Sequence, residues 1–123
     1  MVETHDINLH RPIRLIHPRY KVYIVPRAHS LYYIGATSIE SEDPGPLSVR
    51  SALELLSAAY TVDPRFGEAR IVKCTTGLRP SLPHNNPEIK TKSGISIING
   101  LYRHGFLLAP KLALDSYHKF LDH

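Results

Sequence analysis

The 123-residue chain has a single cysteine, Cys74. A lone cysteine excludes an internal disulfide, cannot build a thiolate zinc site and suits a reducing compartment. No apolar run approaches the roughly 20 residues that a helix needs to cross a bilayer. The opening segment, Met1-Val2-Glu3-Thr4-His5-Asp6, is polar and has no apolar core of the kind a signal peptide carries. A cytoplasmic location is therefore expected, and a membrane partner is not. The sequence also lacks internal repeats and low-complexity segments. Its eight histidines are scattered, with no pair at helical metal spacing beside a carboxylate, so no metal site is expected.

What is present is a mildly basic chain, with net charge +4 and a pI near 9.3. The densest basic stretch runs from Arg11 to Lys21 and includes Arg14, His17 and Arg19. It alternates with Ile13, Leu15, Ile16 and Tyr20, which reads as a half-buried strand rather than a basic arm. The other cations are dispersed and no nucleic-acid motif occurs, so nucleic acid is the least favoured partner.

The length suits one domain with an adequate core. Residues 1–10 read as a flexible leader. Residues 20–37 read as a β-hairpin: Tyr20 to Val25 is rich in β-branched and aromatic residues, Pro26 to Ser30 turns, and Leu31 to Thr37 returns. Gly35 late in that strand marks a bulge or close approach by a ligand or another backbone. An acidic loop with Glu40, Glu42 and Asp43 follows. Pro46 opens a helix whose apolar positions are Val49, Ala52, Leu53, Leu56, Ala59 and Tyr60, with Arg50 and Glu54 as an i,i+4 pair, ending at Asp63-Pro64. Residues 69–76 read as a third strand with Cys74 buried in it. Residues 88–94 read as a turn leading into a buried strand at 95–98. The order of elements argues an α+β fold with an antiparallel or mixed sheet and two main helices.

The chemistry concentrates in Gly100-Leu101-Tyr102-Arg103-His104-Gly105-Phe106-Leu107-Leu108-Ala109-Pro110. The stretch joins the apolar strand to a helix with Phe106, Pro110, Ala113, Leu114, Tyr117, Phe120 and Leu121 on one face, and Pro110 is placed in its first turn. A strand-to-helix turn offers unpaired N–H groups and the positive end of a helix dipole. Two permissive glycines shape it, and Arg103 and His104 add cationic or polar side chains. Phe106-Leu107 stand where a P-loop needs Lys-Ser/Thr, which excludes a triphosphate site. Upstream, Arg79 follows Gly77-Leu78 and precedes Pro80. A residue before proline is held extended, which aims its guanidinium for bidentate capture of a carboxylate.

Four pieces together resemble one family. Tyr23-Ile24-Val25-Pro26-Arg27, Ile34-Gly35-Ala36-Thr37, Gly77-Leu78-Arg79-Pro80 and Gly100 to Pro110 occur in this order in the C-terminal part of FAD-dependent D-amino-acid oxidase-type enzymes, most closely the glycine oxidases of thiamine biosynthesis. The resemblance implies that residues 11–83 are the substrate sheet and helix, and that 84–123 are the strand and helix returning to the FAD domain. It implies that Arg79 and Tyr23 bind the substrate carboxylate and that Arg103 lies near substrate and flavin. It further implies a flavin-facing segment of Gly100, Tyr102, Arg103, His104, Gly105, Phe106 and Leu107. The family's reaction passes hydride from a small amino acid's Cα to FAD, giving an imine and hydrogen peroxide, and asks of the protein mainly orientation. Its N-terminal half carries G-x-G-x-x-G, which none of the seven glycines here forms. The isolated chain is therefore expected to hold FAD weakly or not at all. A Rossmann-type half or a second copy is the expected partner, with a non-catalytic remnant or partner subunit as the alternative. Leu101, His104, Lys21 and Thr75-Thr76 depart from residues frequent in the family.

Overall fold

The computed structural model describes residues 1–18, 21–39 and 42–121. Arg19 and Tyr20 of the expected basic strand and hairpin, and Glu40 of the acidic loop, lie outside the described residues. The chain forms two compact units, Met1–Gly77 and Leu78–His123. The division falls earlier than the boundary expected at 83/84, so Arg79 belongs with the second unit. The cause is local: the Tyr102 N–H donates to the Pro80 carbonyl at 3.1 Å, and Leu82 packs on Gly100.

In the first unit, β1 (Val2–Glu3), β2 (Ile13–Arg14), β3 (Tyr23–Pro26), β4 (Leu31–Gly35) and β5 (Arg70–Ile71) form a sheet in the order β2-β3-β4-β1-β5. Every pairing is antiparallel. The expected hairpin is β3–β4, with Ile24 opposite Ile34. Ile24, Tyr32 and Ile34 point to one face and are buried with Val2, Ile7, Val22 and Phe66. Tyr32 meets Phe66 edge-on at 5.5 Å between centroids, a favoured aromatic geometry.

Residues 1–10 are not a flexible leader. β1 lies between β4 and β5, with Val2 opposite both Tyr32 and Ile71. Val2, Thr4 and Ile7 are buried, the Thr4 N–H donates to the Ser30 carbonyl, and the Tyr32 hydroxyl donates to the Ile7 carbonyl. The segment is polar in composition, but its inward alternation, Val2 then Thr4, is that of a strand.

Helix α1 (Val49–Val62) starts after Pro46 because Ser48 caps it, the Ser48 hydroxyl accepting from the Ser51 N–H at 3.2 Å. It ends where expected, at Asp63, whose carboxylate then caps a 3₁₀ turn, Pro64–Glu68. Ala58 and Ala59 are buried and Leu55, Leu56 and Val62 pack around them. Val49, Leu53 and Tyr60 of the expected apolar face are exposed. The third strand is shorter than 69–76: β5 has two residues, after which the Val72 and Lys73 N–H groups both donate to the Met1 carbonyl. Pairing stops there and leaves Cys74 exposed rather than buried.

The second unit holds β6 (Glu88–Lys92), β7 (Ile95–Asn99) and α2 (Gly105–Leu121). Residues 88–92 are a strand, not a turn. They pair antiparallel with β7 through a two-residue loop in which Ser93 and Gly94 have φ of 50° and 76°. Positive φ at both positions is what a tight hairpin requires. β7 is not buried: Ile95 and Ile97 are about 60% exposed. Pro110 lies inside α2 rather than in its first turn, because the helix begins at Gly105. No helix among the described residues is long and apolar enough to cross a membrane.

Candidate functional site

The turn between β7 and α2 is shaped by two residues in the left-handed region, Gly100 (φ 80°) and Tyr102 (φ 48°). Gly100 is obligatory twice over. A Cβ there would meet Leu82 at 2.7 Å and the Asn86 carbonyl at 2.8 Å, and its φ disfavours any other residue. Tyr102 pays no such respect to sterics, so its neighbours must hold it. Its N–H donates to the Pro80 carbonyl, and the next turn closes through the His104 N–H to the Leu101 carbonyl at 2.8 Å. Gly105 differs from Gly100: its φ is ordinary and nothing stands within 4 Å of a built Cβ. It leaves open space at the mouth of α2 instead of relieving strain.

The same turn brings Arg79 and Arg103 to one aromatic ring. The Arg79 guanidinium carbon lies 5.9 Å from the Tyr102 ring centroid, and that of Arg103 lies 5.8 Å from it. Both distances are within cation–π range. Neither arginine pairs with a carboxylate among the described residues. Both side chains are half-buried, and Arg103 Nε is buried with no hydrogen-bond partner among the described residues. A buried charged donor without an acceptor is costly unless a ligand supplies one. Two cations with free donors, gathered on one ring, constitute an anion-binding arrangement.

Helix α2 adds neutral donors. The Leu108 N–H takes the His104 carbonyl at 2.9 Å, so the N–H groups of Gly105, Phe106 and Leu107 precede the first intrahelical bond. Phe106 and Leu107 are exposed, and the His104 ring is exposed. These donors, the open space before Gly105 and the unpartnered Arg103 Nε fit a planar, carbonyl-rich or anionic group. Among the described residues no three His, Cys, Asp or Glu stand together to hold a metal ion.

Tyr23 belongs to the first unit. It sits directly opposite Gly35 across the hairpin, and its ring occupies the place of the missing Cβ, which would lie 2.7 Å from the hydroxyl. The close approach at Gly35 is made by the Tyr23 side chain, not by a ligand or another backbone. Tyr33 stacks on Tyr23 at 6.3 Å with planes 10° apart. Sequence reasoning named Arg79, Arg103 and the turn as candidates, and it placed Tyr102 only through its backbone. The Tyr102 ring as common partner of two arginines, and Pro80, Leu82 and Asn86 as its supports, depend on contacts between distant residues. The only local signal was an aromatic residue next to an arginine between two glycines.

Comparison with known proteins gives the following. The chain matches the family described as FAD dependent oxidoreductase over residues 1–114. A protein from Rhizobium etli named putative thiamine biosynthesis oxidoreductase ThiO is 52% identical over 112 residues, which cover 91% of this chain and 34% of that protein. A glycine oxidase from Geobacillus kaustophilus is 32% identical over 95 residues, covering 75% of this chain and 25% of its own length. A bifunctional protein ThiO/ThiG from Trichormus variabilis is 35% identical over 94 residues, covering 72% and 14%. The chain therefore spans about a third or less of the length of these curated relatives. No solved structure matches.

Proposed function

The chain belongs to the FAD-dependent oxidoreductase family, and from that premise we propose that it supplies the carboxylate-binding and flavin-contacting residues of a glycine oxidase-like enzyme. The substrate is glycine or another small amine, and the reaction is oxidative deamination feeding thiazole synthesis. The observation that carries this reading is the pair of arginines on Tyr102, with no carboxylate partner and with Arg103 Nε unsatisfied.

Bound FAD would take up hydride from the substrate Cα, with oxygen as final oxidant, so that the products are an imine and hydrogen peroxide. This chain's residues bind and orient. Arg79 grips the substrate carboxylate through its planar fork, which fixes rotation as well as position. Arg103 supplies a charged donor beside the reacting groups. The N–H groups of Gly105, Phe106 and Leu107 and the positive end of α2 favour electron-rich atoms at the helix mouth. No nucleophile or strong base is required of the chain.

The test is the visible flavin spectrum of the chain alone, and after co-expression with a Rossmann-type half from the same family. Flavin retained only in the pair, with glycine-dependent peroxide release abolished by Arg79→Ala, is the expected outcome. Amino-acid-dependent peroxide release by the chain alone would refute the expectation of weak FAD binding. Flavin in neither sample would refute the catalytic reading.

A second reading, a non-catalytic partner subunit, is favoured by the apolar stripe of α2. Phe106, Leu107, Leu114, Tyr117 and Leu121 are each more than half exposed, and such patches mark association surfaces. The occupant proposed is the Rossmann-type part that the longer relatives have length for. Concentration-dependent self-association on sizing, unchanged when that half is present, would favour pairing of two copies instead.

A further inference from the structure

We propose that Tyr102 is a positioning residue whose ring holds Arg79 and Arg103 together as one preorganised anion clamp. The two arginines come from separate stretches of chain, the segment before Pro80 and the turn before α2. Like charges repel, and nothing in the sequence keeps them near each other. The Tyr102 ring does so electrostatically, since its face attracts both guanidiniums, at 5.9 and 5.8 Å. Its backbone does so mechanically, through the N–H bond to the Pro80 carbonyl one residue from Arg79.

The strain at Tyr102 supports the assignment. A bulky residue at φ 48° is uncommon and persists only where its surroundings over-determine it. Glycine would take that backbone without strain, yet a tyrosine stands there. Stability of the turn alone does not explain the choice, whereas a requirement for the ring does. Arg103 Nε completes the case: that nitrogen is buried without a hydrogen-bond partner among the described residues, in readiness for an acceptor. The choice of a carboxylate as that acceptor rests on the function proposed above; the positioning itself does not.

The strain makes ring and backbone separable by mutation. Tyr102→Gly removes the ring and relaxes the turn, while Tyr102→Phe keeps the ring and removes only the hydroxyl. The measurement is the Nε–Hε resonances of Arg79 and Arg103 in the isotopically labelled full chain, free and titrated with acetate at constant ionic strength. In the wild type and in Tyr102→Phe, both resonances are expected to show upfield ring-current shifts and restricted motion. In Tyr102→Gly both should move to the free-arginine position and become mobile, with an unchanged or higher melting temperature. Acetate should then bind about tenfold more weakly. A structural role alone would lower melting temperature and affinity together. The proposal is overturned if Tyr102→Gly leaves both resonances and acetate affinity as in the wild type, or if Tyr102→Phe disorders the arginines as fully as Tyr102→Gly. Ordered, ring-shifted arginines that ignore acetate would uphold the positioning role and remove the carboxylate reading.

Discussion

The two units use their apolar residues in opposite ways. In Met1–Gly77, strand and helix side chains converge on a common core of Val2, Ile7, Val22, Ile24, Tyr32, Ile34, Ala58, Ala59 and Phe66. In the second unit the only buried residues among those described are Gly100 and Ser116. The apolar stripe of α2, Phe106, Pro110, Ala113, Leu114, Tyr117, Phe120 and Leu121, is exposed along its whole length. It is Leu108, Leu112, Asp115 and Ser116, also at helical spacing, that are the less exposed face of α2. Periodicity thus identifies a face that needs cover without saying what covers it. One unit gathers its apolar residues into a core, and the other leaves an uncovered apolar surface along its helix.

The sharpest way to break this comparison is to truncate one isoleucine in each unit. Ile24 is 1% exposed and Ile97 is 59% exposed. Ile24→Ala should cost about 2–5 kcal/mol, through lost transfer free energy and the cavity left behind. Ile97→Ala should stay within about 0.5 kcal/mol. Amide hydrogen exchange in β3–β4 and in β6–β7 reports the two units separately. Equal losses would show that β7 is covered in solution.

What could be read in advance follows the same division. The β3–β4 hairpin, the end of α1 at Asp63-Pro64, β7 and the long α2 were legible, because turn residues and periodicity act locally. The order of four short motifs pointed to the family. β1 was not legible: two residues become a strand only because β4 and β5 flank them, and no local signal carries that. Cys74 was misjudged because the length of a strand depends on how far its partner runs, and here the partner is the Met1 carbonyl. Arg79 and Arg103 could be named as cations on constrained backbone, but their meeting at Tyr102 required the Pro80 and Gly100 contacts.

A second contrast lies in the helix starts. α1 has a side-chain cap, and Ser48→Ala should destabilise it by about 1 kcal/mol. α2 begins after His104 with the N–H groups of the turn left for other acceptors. His104→Asp would supply a capping acceptor and a negative charge at the helix mouth, stabilising α2 by up to about 1 kcal/mol. The same change should weaken acetate binding at the arginines, so thermal stability and anion affinity would move in opposite directions. Parallel movement would show that the helix start plays no part in the site.

Smaller still is the expected effect of charging the exposed stripe. Leu114 is 52% exposed, so Leu114→Glu should change the stability of the second unit by no more than about 0.5 kcal/mol. Its effect should appear in association instead. Sizing of a co-expressed pair, or of the chain alone at high concentration, should show loss of the complex while β6–β7 exchange protection persists. Loss of protection would mean that the stripe is covered within the chain.

The faintest contrast is electrostatic. Asp63 in the first unit is held below its ordinary value of 3.8, first by the side-chain hydrogen bond from Arg65 and then by the Arg65 backbone N–H. Glu88 in the second unit is held below 4.5, first by Lys90 and then by His84. A carboxylate whose folded pKa is depressed contributes stability that is complete above its unfolded value. That contribution is lost as pH falls through the folded value, so both effects begin to fade near the ordinary carboxylate values and are gone only below the depressed folded ones. The geometries differ. Arg65 grips Asp63 through Nε and Nη2 at 3.0 and 2.7 Å, and its Nη1 also donates to the Asp6 carbonyl. Glu88 instead takes single contacts, from Lys90 at 2.8 Å and His84 at 2.9 Å, on an exposed hairpin. The Asn86 N–H donates to His84 Nδ1, which leaves Nε2 as the nitrogen that donates to Glu88. Carboxyl NMR titration should show Arg65→Ala returning Asp63 only part of the way, because the residue-65 backbone N–H still donates to Asp63 Oδ1. Lys90→Ala should return Glu88 only part of the way, because His84 remains. Added salt should erode the Glu88 shift before that of Asp63, since a bidentate pair on a packed scaffold is screened less than point contacts on an open strand.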